Sequence, residues 1–330
     1  MLFFLLILIP YALCQPDSSP HSSGSEYPST SQQTSEGAKA KSKGRKQREQ
    51  WKKTNEEKTS SEEGATSKLK HPIAYPTETT PFGKTIIILK YYDMCNYYRS
   101  YVRLSDYYLF VLFWPIKCYD IVCSLPQTTM KLEEEFMFHG FWPQFDSNKH
   151  MQCCKNNFMI ENVEAMMKSD EVIKEFVLSD WMSLEKCVFS TFQMDKHGSC
   201  SYDIYKGPNG PKQYIETMMF LKSQFKVWSF LKESELKVET NKMYEKETLR
   251  KVLRNRYGAN PTFNCIDNTN IMEIRFCFDP KRNKMHPPLI ECSQRIYAYE
   301  KRKCGDKVMF LDFPKYLLDL ENVQRNNCVM

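Results

Sequence analysis

Residues 138–143 read Phe138-His139-Gly140-Phe141-Trp142-Pro143, and residues 193–200 read Gln193-Met194-Asp195-Lys196-His197-Gly198-Ser199-Cys200. Each segment places a histidine directly before a glycine. A lone histidine is more often structural than functional; two in such Gly-, Trp- and Cys-bearing segments bring a functional role, such as proton transfer, level with a structural one. Imidazole suits that work because its unperturbed pKa is about 6.5. Glu135 to Phe141 reads as a strand that leads into a turn at Trp142-Pro143. If the second segment is helical, Gln193 and His197 lie at i and i+4, and Gln193 and Lys196 at i and i+3. All three then share neighbouring parts of one face.

Outward from these segments the pattern is mixed. Thr85 to Leu89 is β-branched, and Asp106 to Trp114 is rich in Tyr, Phe and Val before Pro115 ends it; both read as strands. Ile160, Val163, Met166 and Met167 fall on one helical face, followed by Val172 to Trp181. Apolar residues also keep helical spacing over Ile215 to Leu231 and over Tyr244 to Arg256, which Gly258 ends. Strands return at Met272 to Phe278 and Lys307 to Phe313. The pattern predicts one α+β domain over 83–330, with helices grouped between strands.

The N-terminal part differs. Met1 to Cys14 is Leu-, Ile- and Phe-rich and ends Ala12-Leu13-Cys14 before Gln15, which fits a cleaved signal peptide. It is too short to span a bilayer, which takes roughly 20 apolar residues. Residues 15–82 are dominated by Ser, Thr, Gln, Glu, Gly and Lys, a composition that reads as a disordered tail. Its basic run, Lys39 to Lys53, could hold phosphate or sulfate groups, though charge runs are usually solvated. The chain has thirteen cysteines, and removal of Cys14 leaves an even number. An even set in an exported chain implies a disulfide framework. Zinc is disfavoured, since there is no CxxC pair and neither Cys118/Cys123 nor Cys153-Cys154 has finger spacing. The only Asn-x-Thr match, Asn260-Pro261-Thr262, is blocked by its proline. The net charge of +6 hints mildly at an anionic partner.

His-Gly-Phe-Trp-Pro at 139–143 closely resembles the first active-site motif of the ribonuclease T2 family, and Lys-His-Gly-Ser-Cys at 196–200 resembles the end of its second. The resemblance extends to Asp106-Tyr107-Tyr108 through Trp114-Pro115 and Cys118, to Gly258-Ala259-Asn260-Pro261 with Cys265, and to Met272-Glu273-Ile274 with Cys277, Cys292 and Cys304. It covers about residues 84–316, and several ordered motifs match together. The fold it implies is α+β, a central antiparallel sheet with packed helices, stapled by disulfides. The activity it implies is endonucleolytic cleavage of single-stranded RNA without metal or cofactor. The RNA's own 2′-OH attacks and leaves a 2′,3′-cyclic phosphate. By the same resemblance His197 is the base and His139 the acid, Lys196 stabilises the phosphorane, and Gln193 belongs to the catalytic set. Trp142, Gln144 and Phe192 are the implied substrate-binding residues. The implied disulfides are Cys118–Cys123, Cys265–Cys304 and Cys277–Cys292. Cys200 is expected to join Cys153 or Cys154, Cys187 to take the other, and Cys95 and Cys328 to remain for each other.

The chain departs from the family pattern in two places. The second motif usually begins His-Glu-Trp, where this chain has Phe192-Gln193-Met194. A carboxylate there would raise the pKa of a neighbouring histidine, so Gln193 predicts a lower one. Gln can still orient an imidazole or bond a phosphate oxygen. Phe113 stands where many members carry Gln, which changes one base subsite. The competing function is a catalytically weak scaffold of the same fold that binds RNA or a surface receptor. A third reading is an unrelated cystine-rich binding module, which leaves both histidine motifs unexplained. The expected protein is a monomer with no stable membrane insertion, placed outside the cell or in a lumenal compartment such as a lysosome or vacuole. His150 and His286 read as structural or surface residues.

Overall fold

Residues 86–95, 104–146 and 151–330 are described by the structure, a computed structural model. The signal segment, the tail with its basic run, Thr85 and His150 lie outside those residues. In chain order come strands Ile86–Ile87 (β1), Tyr107–Phe113 (β2), Leu125–Pro126 (β3) and Met137–Gln144 (β4). Helices Ile160–Ser169 (α1), Glu171–Ser179 (α2), Phe189–Lys196 (α3), Gly210–Gln224 (α4) and Val227–Glu233 (α5) follow. The remainder is Tyr244–Glu245 (β5), Lys246–Tyr257 (α6), Thr262–Ile266 (β6), Asn268–Phe278 (β7), Leu289–Ile290 (β8), Gln294–Lys303 (α7), Cys304–Met309 (β9) and Arg325–Asn326 (β10).

Among these residues the main sheet has seven strands, ordered β4-β2-β7-β9-β5, with β6 and β8 also paired to β7. Its pairings are antiparallel except β7 with β9. A small parallel sheet, β1-β10-β3, ties the C-terminal segment to the start of the domain. The α+β class with a largely antiparallel sheet is therefore the observed one.

Strand β2 shows why Tyr107–Phe113 is apolar throughout. Side chains alternate across a sheet. Tyr108, Phe110 and Leu112 enter the large core, while Tyr107, Leu109 and Val111 enter a smaller cluster with Cys277, Cys292 and Ile296 of α7. Both faces are covered, so the run is continuous instead of alternating. Each such side chain, fully buried, stabilises by about 1.5–3 kcal/mol. In β7 the same alternation sends Ile274, Phe276 and Phe278 to the large core and leaves Glu273, Arg275 and Cys277 on the other face.

The strands and helices differ in detail from the sequence expectation. Trp142 and Pro143 do not form a turn. They continue β4, opposite Leu109 and Tyr108. Proline is tolerated because β4 is the edge of the main sheet. The helical pattern over Ile215 to Leu231 divides at Phe225-Lys226 into α4 and α5. The last strand runs over Cys304–Met309, earlier than Lys307 to Phe313. Strand β6 and helix α7 were not anticipated. Helix α6 does end at Gly258, whose φ of 99° only glycine adopts freely.

Six disulfides close among the described cysteines: Cys95–Cys153, Cys118–Cys123, Cys154–Cys200, Cys187–Cys328, Cys265–Cys304 and Cys277–Cys292. Two expected partners change. Cys187 bonds Cys328 instead of a member of the Cys153-Cys154 pair, and Cys95 bonds Cys153 instead of Cys328. The reason is positional. Strand β10 lies between β1 and β3, and Leu89 N donates to Asn327 Oδ1, which brings the C-terminus to Cys187 beside the Tyr91–Cys187 bridge. Cys153, at φ 52°, turns away from its neighbour, so adjacent cysteines serve different partners. In a non-reducing digest Cys187 and Cys328 are expected in one linked peptide and Cys95 and Cys153 in another; recovery of Cys95 with Cys328 would overturn this map. The Cys187–Cys328 bridge spans 141 residues. Replacing both with alanine should cost about 2–5 kcal/mol, read as a lowered thermal midpoint.

Candidate active site

His139 owes its position to a β-bulge. Val111 pairs with Gly140 but Leu112 pairs with Phe138, so His139 is the extra residue on β4. A bulge shifts the alternation by one. Phe138 and Phe141, three apart, can therefore both enter the large core, while Trp142 joins the smaller cluster on the other face. Trp181 Nε1 donates to the His139 carbonyl at 3.1 Å and fixes the bulged backbone.

The His139 ring meets a buried carboxylate. Its Nδ1 lies 2.8 Å from Glu273 Oε1, with the His139 side chain 26% exposed and Glu273 5%. Glu273 Oε2 accepts from Arg275 Nε at 2.9 Å and from Asn264 Nδ2 at 3.0 Å. Burial pushes the Glu273 carboxyl up, but Arg275 and His139 more than reverse this and hold it well below the usual carboxylate range. A buried anion so fully bonded can fix the ring's orientation and tautomer, with Nδ1 as the donor and Nε2 left for a reactant.

His197 caps the C-terminus of α3. Helix α3 is clamped at its end: Cys153 N donates to the Lys196 carbonyl at 2.7 Å, and Cys95 N donates to Asp195 Oδ2 at 2.7 Å. The Cys154–Cys200 bridge holds the turn that follows. The His197 ring is buried, and its Nδ1 has no hydrogen-bond partner among the described residues. Its pKa is pushed well below the ordinary imidazole value, first by burial, then by Lys196 and His139; the Met151 backbone opposes this. The direction is the one Gln193 suggested, but burial is the leading cause. Burial also lowers the Lys196 ammonium.

Trp142 joins the two histidines. Its ring stacks on His197 with centroids 4.7 Å apart at 22°, and meets the His139 ring edge-on at 4.9 Å and 81°. Trp142 Nε1 donates to Gln193 Oε1 at 3.1 Å. Gly140 makes room for this, since a Cβ there would lie 2.2 Å from Trp142 Nε1. Trp142 is thus packed against the imidazoles as well as facing the cleft.

Two hollows adjoin His139. One, of about 610 Å³, is lined by His139, Trp142, Gln144, Gln193, Lys196 and His197, and across from them by Arg275, Arg295, Tyr299 and Arg302. The other, of about 190 Å³, is mostly apolar and includes Phe113, Phe189, Met182 and Leu184 beside His139 and Glu273. Phe192 lines neither. It stacks on Tyr92 at 4.7 Å and lies under the Lys196 ammonium. His286 packs edge-on against Phe220. Among the described residues no group of three or more His, Cys, Asp or Glu could hold a metal ion, and no helix is long and apolar enough to cross a membrane.

Sequence reading missed Glu273 and the arginines. A signal for Glu273 was present: Glu273 and Arg275 alternate with Ile274 and Phe276 in the expected strand Met272 to Phe278, otherwise apolar, which places both charges on one face. Arg295, Tyr299 and Arg302 stand at i, i+4 and i+7, but only once α7 is known to be helical does this matter.

The model of the Ribonuclease T2 family matches residues 105–292. Curated relatives include intracellular ribonuclease LX of Solanum lycopersicum, 25% identical over 63% of this chain and 84% of its own length. Ribonuclease 3 of Arabidopsis thaliana is 23% identical over 66% of this chain and 94% of its own. Among solved structures, RNase NT in complex with 5′-AMP is 24% identical, with a TM-score of 0.48, over 63% of this chain and 99% of that one. The family match spans more than half of the chain and includes both histidine segments, so this protein belongs to the ribonuclease T2 family.

Proposed function

We propose that this chain is an endoribonuclease that cleaves single-stranded RNA by transphosphorylation, using His197 and His139 and no metal. The observation that carries this is the pair of imidazoles held against one indole, with Lys196 in the same cleft. His197 is the base. Its lowered pKa keeps it neutral, and so able to accept the 2′-OH proton, well into the acid range. His139 is the acid. Glu273 is an ion partner for its protonated ring, and the proton passes from Nε2 to the departing 5′-oxygen. Lys196 supplies positive charge where the phosphorane oxygens become more negative. Attack forms the 2′-O–P bond and breaks the P–5′-O bond, which yields a 2′,3′-cyclic phosphate and a 5′-hydroxyl. Water opens the ring with the histidine roles reversed.

The apolar hollow beside His139 suits the base of the leaving nucleotide, stacked on Phe113 or Phe189. Phe113 in place of glutamine removes a hydrogen-bonding side chain, which favours stacking over edge recognition. Six disulfides favour an oxidising compartment, and with the apolar segment Met1 to Cys14 they support export, the globular domain beginning near residue 83.

Oxidised protein incubated with single-stranded RNA and EDTA across about pH 4 to 8 should leave cyclic phosphate ends, and His139→Ala or His197→Ala should each lose on the order of 10²–10⁴-fold in rate. No cleavage by folded wild type would overturn the enzyme reading and leave an RNA- or receptor-binding scaffold. The acid limb of kcat/KM should fall below pH 6.5, because His197 must lose its proton and its pKa is lowered. A hydrogen bond to a charged group contributes about 1.5–3 kcal/mol, so Glu273→Gln should cut kcat roughly 10- to 100-fold. An unchanged kcat would reduce Glu273 to a packing role.

A further inference from the structure

Helix α7 forms the wall of the cleft that faces His197 and Lys196. Arg295, Tyr299 and Arg302 recur at i, i+4 and i+7 and so share one face, and that face lines the cleft. The Tyr299 ring has two guanidinium groups near it, Arg275 at 5.1 Å and Arg302 at 5.8 Å from its centroid. Arg275 is held from behind by Glu273, and Arg295 Nη1 donates to the Phe145 carbonyl at 2.8 Å. Arg302 is exposed and makes no ion pair among the described residues. Four cations, Lys196, Arg275, Arg295 and Arg302, therefore face one hollow, and no aspartate or glutamate is among the described residues lining it. The whole chain is nearly balanced, with 46 basic and 40 acidic residues, so this exclusion of acids is local. Cations in the last turn of a helix favour its C-terminal dipole, which would account for Arg302 alone. That effect does not account for Arg295 in the first turn, for Arg275 on β7, or for the absence of acids opposite.

We propose that this wall binds the phosphates of single-stranded RNA on the 5′ side of the cleaved bond, with Arg295 and Arg302 as the contacting residues and Tyr299 as a platform against the chain. The polarity follows from the site: His197, which takes the 2′-OH proton of the nucleotide 5′ to the scissile phosphate, lines this hollow and not the apolar one, whereas His139, beside the departing oxygen, lines both. The proposal rests on the ribonuclease reading. Guanidinium groups suit the task, since they pair with phosphate through two parallel bonds and cannot deprotonate.

The test compares a short oligonucleotide substrate with versions extended by several nucleotides on the 5′ or the 3′ side. Wild-type enzyme should gain in kcat/KM from the 5′ extension. Arg295→Gln and Arg302→Gln should each reduce that gain about 2- to 5-fold, the size of an exposed ion pair. Each should also flatten the dependence of log kcat/KM on log salt by about 0.7 for the 5′-extended substrate. Arg302→Lys, which keeps the charge, should recover part of the gain. Arg275 is left intact because it supports Glu273 and His139. If wild type cleaves and both variants keep the full 5′ gain, the wall is refuted. A loss confined to the 3′ extension refutes it equally. If folded wild type cleaves none of the substrates, the ribonuclease reading itself has failed.

Discussion

The bulge at His139 is the constraint on which the site depends. A regular β4 would put Phe138 and Phe141 on opposite faces of the sheet. One extra residue lets both enter the large core and turns Trp142 to the face where α7 lies. The core thereby supports the geometry of the chemistry, because relaxing the bulge would expel a large aromatic side chain from close packing. Glycine at 140 is the second half of the device. It leaves the space that the Trp142 indole occupies, and the indole in turn spaces the two imidazoles.

Electrostatics then separates two identical side chains. His139 faces a buried carboxylate fixed by Arg275 and Asn264. His197 is enclosed by Trp142 and has the Lys196 charge beside it. Under the proposed reaction, such different surroundings suit the two rings to different roles. The negative charge does not come from the helix that carries the second histidine, where Gln193 is neutral and bonds the indole. It comes from the middle of the sheet. Gln193 is therefore a positioning contact for Trp142, and the anionic partner of the site is Glu273.

Much of this was legible without coordinates. The strand at Tyr107–Phe113, the helix closed by Gly258 and the even cysteine set rest on local rules of period, turn chemistry and compartment, and the two histidine segments on their resemblance to the family's motifs. Trp142-Pro143 misled because proline usually ends a strand, and only the sheet order shows β4 to be an edge. Phe192 misled because a motif position does not fix the direction of a side chain; packing against Tyr92 does. Helix α7 was hidden by its composition, in which basic residues are as many as apolar ones, while its stability comes from burying Ile296 on the sheet.

By itself the sequence determined the α+β class and the disulfide-bearing character, because these follow from short periodicities and cysteine number, and its resemblance to the family's motifs pointed to the two histidines. Tertiary structure alone decided which carboxylate meets which histidine, which cysteines pair across 141 residues, and that α7 closes the cleft with arginine. Those are contacts between segments distant in the chain. Their geometry is fixed by strand order and by the single-residue shift at His139, and neither leaves a periodic trace in the sequence.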